Sequence, residues 1–233
     1  MKIFAVTLPC LALVFLSSCA SVSVRDEKRS AGKGVQKPVK IYVAEFGTGS
    51  ASVKIAGSEN KDPDAFKKKI AALLHNYTVK GVSDHVAPAE SAARTTGLPK
   101  KGWLVTGEFV RINTGSRLLR AGIGLGAGGS KMETRVSVFD LTGNGQPFLT
   151  FETTGGSNAM PGLLESSGPG SAVISMTTQA MMGVTDDAAR TSRMIAGELN
   201  SYMIQHGWLS KDKTYSVKKL GDYQLVHEQY FHP

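Results

Sequence analysis

Apolar and polar residues alternate most cleanly between Trp103 and Thr154. Met132, Val136 and Val138 fall between Glu133, Arg135 and Ser137, the period of a strand with one buried and one wet face. Asn144-Gly145 follows inside the polar run Thr142–Gln146, the pair best suited to positive φ at both centres of a tight hairpin turn. Phe148, Leu149 and Phe151 then begin a return strand. Upstream, Val105 and Phe109 share a face opposite Glu108, which makes Trp103–Ile112 a third strand. The three form an antiparallel meander whose apolar face needs a cover.

Two helical patterns supply it. Asp62-Pro63-Asp64 offers an N-cap, a proline at the first helical position and an acid in the first turn. Phe66, Ile70, Leu73, Leu74 and Tyr77 then form one stripe, and Gly81 is placed to end it. Thr185-Asp186-Asp187 is a second start signal, before Ala188, Ser192, Ile195, Leu199 and Tyr202 at steps of three and four. The pattern predicts a helix over Asp186–His206, stopped by Gly207, with Trp208-Leu209 folding back onto it. Val39, Ile41 and Val43 lie on one face of Val39–Phe46, and Tyr42, Ala44 and Phe46 on the other, as in a central strand apolar on both sides.

The expected architecture is an α+β domain over residues 39–209. A single mixed sheet, one central strand plus the three-strand antiparallel meander, carries two long helices packed on one face. Between these elements Gly47–Lys61 and Gly155–Gly183 read as loops, the second with a small helix from Ala172 to Met182. Val82–Val86 reads as a short strand and Pro88–Arg94 as a short helix. Residues 210–233 form a C-terminal tail in which Tyr215–Val217 or Gln224–Val226 could add an edge strand.

The N-terminus carries an address. Met1-Lys2 is a short positive start, Ile3–Leu16 is almost uninterruptedly apolar, and Leu16-Ser17-Ser18-Cys19 closes it with small residues before a cysteine. This pattern predicts a bacterial lipoprotein signal over residues 1–18, with cleavage before Cys19 and acylation of its thiol. Ala20 at the next position, rather than Asp, points to the outer membrane, with the domain in the periplasm and the cell surface left open. Residues 19–38 then read as a lipidated tether: Arg25-Asp26-Glu27-Lys28-Arg29 with Gly32 and Gly34 is too polar to bury a core. A flexible stretch of that length reaches roughly 25 Å.

Composition narrows the chemistry. Cys10 leaves with the signal and Cys19 takes lipid, so the mature chain keeps no thiol for a disulfide, a nucleophile or zinc. The formal charge of +8, less the one charge of Lys2, gives +7, a balance that reads first as solubility and second as attraction to anionic lipid, lipopolysaccharide or cell-wall polymer. Export and the lack of a basic helix with interleaved aromatics argue against nucleic acid.

The candidate chemistry gathers in one loop. Gly122, Gly124, Gly126, Gly128 and Gly129 precede the middle strand, and Gly124-Leu125-Gly126-Ala127-Gly128-Gly129 has the spacing of a dinucleotide fingerprint. That motif works by opening a helix whose N-terminus meets a pyrophosphate, and here a strand follows. A phosphate loop fails similarly, since Ser130-Lys131 reverses the required order. The glycines instead suit close backbone approach to a partner or a neighbouring copy. Arg117, Arg120, Gly122, Gly124, Gly126, Gly128, Gly129 and Lys131 are therefore the candidate partner-contact loop. His227 and His232 stand five apart, about 140° around a helix, and cannot share a metal from one face. No Gly-x-Ser-x-Gly elbow occurs. Asp186-Asp187 is explained by a helix start, and Asp140 and Glu152 read as exposed strand-end residues. No catalytic, cofactor or metal residue is expected.

Gly115-Ser116-Arg117, Arg120, Gly122, Gly124, Gly126-Ala127-Gly128, Ser130-Lys131 and the strand ending at Asp140 resemble the bacterial lipoproteins of domain-of-unknown-function family 4410. The resemblance spans roughly Val39 to Trp208. It implies an envelope lipoprotein of mixed α/β architecture, distantly like the periplasmic domain of the curli-secretion lipoprotein, with no established activity and no catalytic residues to carry over. The expected function is non-enzymatic binding or assembly at the envelope, with an envelope protein, an anionic polymer or a second copy as partner. The alternative is a hydrolase or transferase acting on cell-wall or lipid material.

Overall fold

The computed structural model describes residues 23–29, 34–55, 62–93, 97–115, 130–157 and 172–215, with side chains in the last stretch from Val184 onward. Its elements are β1 (Ser23–Arg29), β2 (Ile41–Ala44), β3 (Ser52–Lys54), α1 (Pro63–His85), β4 (Ala89–Ala92), β5 (Trp103–Asn113), β6 (Ser130–Asp140), β7 (Pro147–Ser157) and α2 (Ala172–Gln205). The seven strands make one mixed sheet in the order β1-β7-β6-β5-β2-β4, with β3 continuing beside β5 beyond β2.

The meander is as the alternation requires. β5, β6 and β7 are antiparallel, with Val105 opposite Val138 and Val136 opposite Phe151. Trp103, Val105, Phe109, Met132, Val136, Leu149 and Phe151 point into a core completed by both helices, α1 touching β2 and β4 and α2 touching β6 and β7. Glu108, Arg135 and Glu152 lie on the other face. β2 is an internal strand, parallel to both β4 and β5, with Ile41 and Val43 in the large core and Tyr42 and Ala44 packed with Leu104 on the opposite face. Val39 precedes the strand and is 74% exposed, and Phe46 lies past its end and turns into the large core, so the two-sided reading holds only for residues 41–44.

Several local readings are corrected. The β6–β7 connection is longer than a two-residue hairpin: the pairing ends at Phe139 with Pro147, and only Gly145 takes positive φ, +78°. Asp140 explains the longer turn, because its Oδ1 accepts from the backbone N and the hydroxyl of Thr142, at 2.9 and 2.6 Å. Gly81 does not end α1, which continues to His85. Helical backbone suits glycine poorly, but here it faces α2, and a Cβ would touch that of Ala196 at 3.6 Å. Val82–Val86 is thus mostly helix, while Ala89–Ala92, within the expected short helix, is a strand. The start of α1 is as read: Asp62 Oδ1 accepts from the backbone N of Asp64 and Ala65, at 2.9 and 3.2 Å.

α2 runs straight through Thr185-Asp186-Asp187, so the apparent cap is mid-helix. Asp187 is buried there, one helical turn from Arg190 at 3.5 Å, which offsets its poor fit to a helix interior. The expected small helix from Ala172 is the first part of this same element, and Gly155–Ser157 belong to β7 rather than to a loop. At the far end Gly207 has φ +69°, its N donates to the Ile204 carbonyl and the Trp208 N to that of Met203, the paired bonds of a glycine cap. The loop Gly47–Lys61 contains β3, parallel to β5. Tyr215 is not in a strand, and Gln224–Val226 lies outside the described residues.

The largest correction concerns the supposed tether. Ser23–Arg29 is an edge strand paired antiparallel with β7, its register broken between Arg25 and Lys28, where Asp26 takes φ +50°. Arg29 bridges from this strand to Glu198 on α2 at 3.5 Å and lies over the Tyr202 ring at 5.9 Å.

β5 approaches its neighbours too closely for a side chain at one point. A Cβ at Gly107 would overlap the Phe46 ring, which occupies that space and stands 6.1 Å from Phe109. Gly107→Ala is expected to lower stability by about 1–3 kcal/mol, read as a lower urea midpoint at unchanged slope. Gly107→Ala with Phe46→Leu should recover part of the loss, and an unchanged midpoint in the single variant would reject this packing.

Candidate functional site

The wet face of the meander gathers charge at one end. Glu133, on β6, is flanked by Lys131 on its own strand, Arg111 on β5 and Arg25 on β1, at 2.7, 3.5 and 3.6 Å. Alternation puts Glu133, Lys131 and Arg25 on the face turned away from the helices, and the bulge between Phe109 and Arg111 turns Arg111 to the same face. Arg25 also donates to the Thr154 hydroxyl from Nη2 at 2.6 Å, which holds it across β7. Burial pushes the Glu133 carboxyl up, but the hydrogen bond and charge of Lys131, then the charges of Arg111 and Arg25, outweigh this and hold it below its ordinary value. One row along the sheet, Arg135 pairs with Glu152 at 2.7 Å, with Glu108 opposite Arg135 in register. Glu152 is therefore a mid-strand ion-pair partner, not a loose strand end.

Of the expected contact loop, Lys131 is placed here, at the start of β6. Arg117, Arg120, Gly122, Gly124, Gly126, Gly128 and Gly129 lie outside the described residues, as do Cys19, His227 and His232. The ends of that loop, Gly115 and Ser130, lie at the same end of the sheet as the Glu133 cluster. Arg25, Arg111 and Glu133 were not singled out from sequence. The alternation of β6 makes the wet position of Glu133 readable, but strict alternation from Phe109 puts Arg111 on the buried face, the bulge between Phe109 and Arg111 reverses this, and Arg25 lies on a strand read as tether.

A second polar node sits at the other end of β6. Asp140 is 8% exposed, and besides Thr142 its Oδ2 accepts from the Gln36 backbone N at 2.9 Å. The Gln36 carbonyl in turn accepts from Trp103 Nε1 at 2.9 Å, and Trp103 and Asp140 are cross-strand neighbours. The residue expected to be exposed is the buried half of a clip joining the N-terminal segment to β5 and β6.

A concavity of about 530 Å³ opens beside the end of α1, lined by Ser83, His85, Val86, Leu209 and Tyr215 among others. His85 stacks on Tyr215 at 3.7 Å between ring centres, and Asn200 fixes that corner by donating to the carbonyls of His85 and Lys213 and accepting from the Tyr215 N. Among the described residues no three His, Cys, Asp or Glu side chains gather as a metal site. Among them, too, no helix is long and apolar enough to cross a membrane.

A family model described as a domain of unknown function, DUF4410, matches residues 41–203. No curated protein matches the chain. Among solved structures, the PelC dodecamer from Paraburkholderia phytofirmans is similar at 11% identity and TM-score 0.38, covering 72% of this chain and 96% of that one. A single-substitution variant of the same dodecamer gives 12% identity, TM-score 0.36 and coverage of 72% and 95%. An uncharacterised protein gives 12%, 0.33, 69% and 95%.

The Asp140 clip sets a pH dependence. Burial alone would push its carboxyl up, but the Thr142 hydroxyl and the backbone donors of Gln36 and Thr142 outweigh it and hold the group below the usual 3.8. A depressed carboxyl contributes stability above its unfolded value, and the contribution is lost as pH falls through the lower folded value. Asp140→Asn should cost about 1–3 kcal/mol at pH 7, because an amide turns a donor towards donors. The gap between variant and wild type should narrow below about pH 4, measured as urea midpoints across pH. A gap that is constant with pH would reject the clip.

Proposed function

This chain belongs to the DUF4410 family, and from that premise we propose that it is a lipid-anchored protein of the outer membrane acting by binding or assembly, not by catalysis. The observation that carries the proposal is the run Leu16-Ser17-Ser18-Cys19 behind an apolar segment, which matches the processing pattern of a cysteine acylated after signal cleavage. The wet sheet face supports the binding half of the reading. Its cations and carboxylates pair across strands, with cations in excess around Glu133, a surface that recognises a partner by charge placement rather than by a concave substrate pocket. Envelope proteins and anionic envelope polymers are the partner classes such a surface and a charge of +7 fit, and the alternating glycines 122 to 128 would let a partner backbone approach closely.

The test begins with the anchor. Cys19→Ser should leave the chain uncleaved or release it from the membrane, because that thiol is the attachment point for the acyl chains. Intact mass of the mature protein and flotation with membranes read this directly. A Cys19→Ser protein that is still processed and still floats would reject the lipoprotein reading. Crosslinked pull-down from membranes, paired with an activity screen on envelope substrates, separates binding from catalysis: turnover without capture would overturn the second half of the proposal.

A further inference from the structure

The strand β1 changes what an anchor at Cys19 would do. A flexible tether of residues 19–38 would hold the domain well clear of the bilayer, but Ser23 is already paired into the sheet opposite Thr154. Three residues separate Cys19 from Ser23, and the link, fully extended, spans at most about 14 Å. The end of the sheet at Ser23 must therefore stay close to the acylated cysteine, with no slack to turn away.

Topology identifies that end. Lys54 on β3 is opposite Asn113 on β5, Asn113 opposite Lys131 on β6, and Ser130 opposite Ser157 on β7. The first turn of the β6–β7 connection lies at the other end: Ser23 is level with Glu133 through Thr154, and the run of β6 from Glu133 to Asp140 puts that turn about 23 Å from Ser23, beyond the reach of the link. Among the described residues, cations are in excess around Glu133 at the near end: Arg25, Arg111 and Lys131 all pair with its carboxylate, and Lys54 is exposed beside them. Lys100 and Lys101 make the far end basic as well, so charge does not choose between the ends; the three-residue link does.

We infer that the end of the sheet at Ser23 docks on anionic phospholipid headgroups of the membrane that holds the anchor, with Arg25, Lys54, Arg111 and Lys131 facing the phosphates. This rests on the lipid anchor proposed above. The acyl chains give residence at the surface, and the cations give orientation, because their attraction to a negative surface acts only within a Debye length. Docking fixes which faces stay available: the opposite end, with the β6–β7 turn, points away from the bilayer.

The acylated full-length protein tests this in vesicles. Cys19 is occupied by lipid, so a second cysteine gives a single labelling site: Ser52→Cys on exposed β3 for the near end, or Gln146→Cys in the exposed β6–β7 turn for the far end. Each is labelled with a fluorophore and quenched by nitroxide-headgroup lipid, in vesicles of phosphatidylcholine with phosphatidylglycerol and of phosphatidylcholine alone. Acylation is read first by intact mass. Docking predicts at least about threefold stronger quenching at position 52 than at 146 in the anionic vesicles, with the ratio falling by about half or more without phosphatidylglycerol. Equal quenching, or a ratio indifferent to phosphatidylglycerol, in acylated and vesicle-bound protein overturns the docking while leaving the anchor standing. A protein without acyl mass overturns the anchor and the docking with it.

Discussion

The fold depends on keeping one indole out of water without leaving its N–H unpaired. Trp103 is fully buried at the start of β5, with Phe148 at 4.8 Å, Tyr202 at 5.6 Å and Trp208 at 5.9 Å between ring centres. Those partners come from β7, from α2 and from the turn after α2, so this ring joins the sheet to the longer helix and its cap. A buried indole donor must be satisfied, and the acceptor is the backbone of Gln36. Gly102 beside it takes φ +112° and leaves no room for a Cβ against the Lys40 carbonyl, so the chain enters β5 only by that route. The aromatic core and the segment before β2 are consequently one structure.

That dependence recasts the N-terminal segment. Gln36 is gripped from both sides, by Asp140 on its N–H and by Trp103 on its carbonyl. Upstream, β1 adds to the edge of the sheet, and Arg29 crosses to Glu198, whose carboxyl is pushed up by burial and by the nearby Glu27 despite the arginine. A segment of such polarity holds its place through backbone ladder bonds and a few charge contacts, not through apolar burial. An anchor at Cys19 would then hold an edge strand directly and limit how the domain can turn against a membrane.

How much of this was legible follows from where side chains meet. The meander could be read because one buried face imposes period two on Met132, Val136 and Val138, and the helix cap at Gly207 because only a left-handed turn follows there. Gly81 misled because a glycine that ends helices also suits a close helix crossing, here against Ala196. Thr185-Asp186-Asp187 misled because the acid that would cap a helix can also pair with Arg190 one turn later. β1 was hidden for a different reason: an edge strand with a solvated face needs little apolar residue pattern, and Val24 is its one apolar residue, packed on the core. The Glu133 cluster was half visible, its residues on wet positions of strands whose pairing across the sheet no local pattern reveals.

The claim on which this account turns is that the residues just after Cys19 belong to the sheet. Amide hydrogen exchange over residues 23–29 of the acylated protein tests it most directly, because ladder bonds to β7 slow exchange and a tether has none. The account predicts protection, well above the unfolded chain, at the alternate residues of 23–29 whose N–H groups face β7. Exchange throughout 23–29 at unfolded-chain rates, with β7 itself protected, would contradict it.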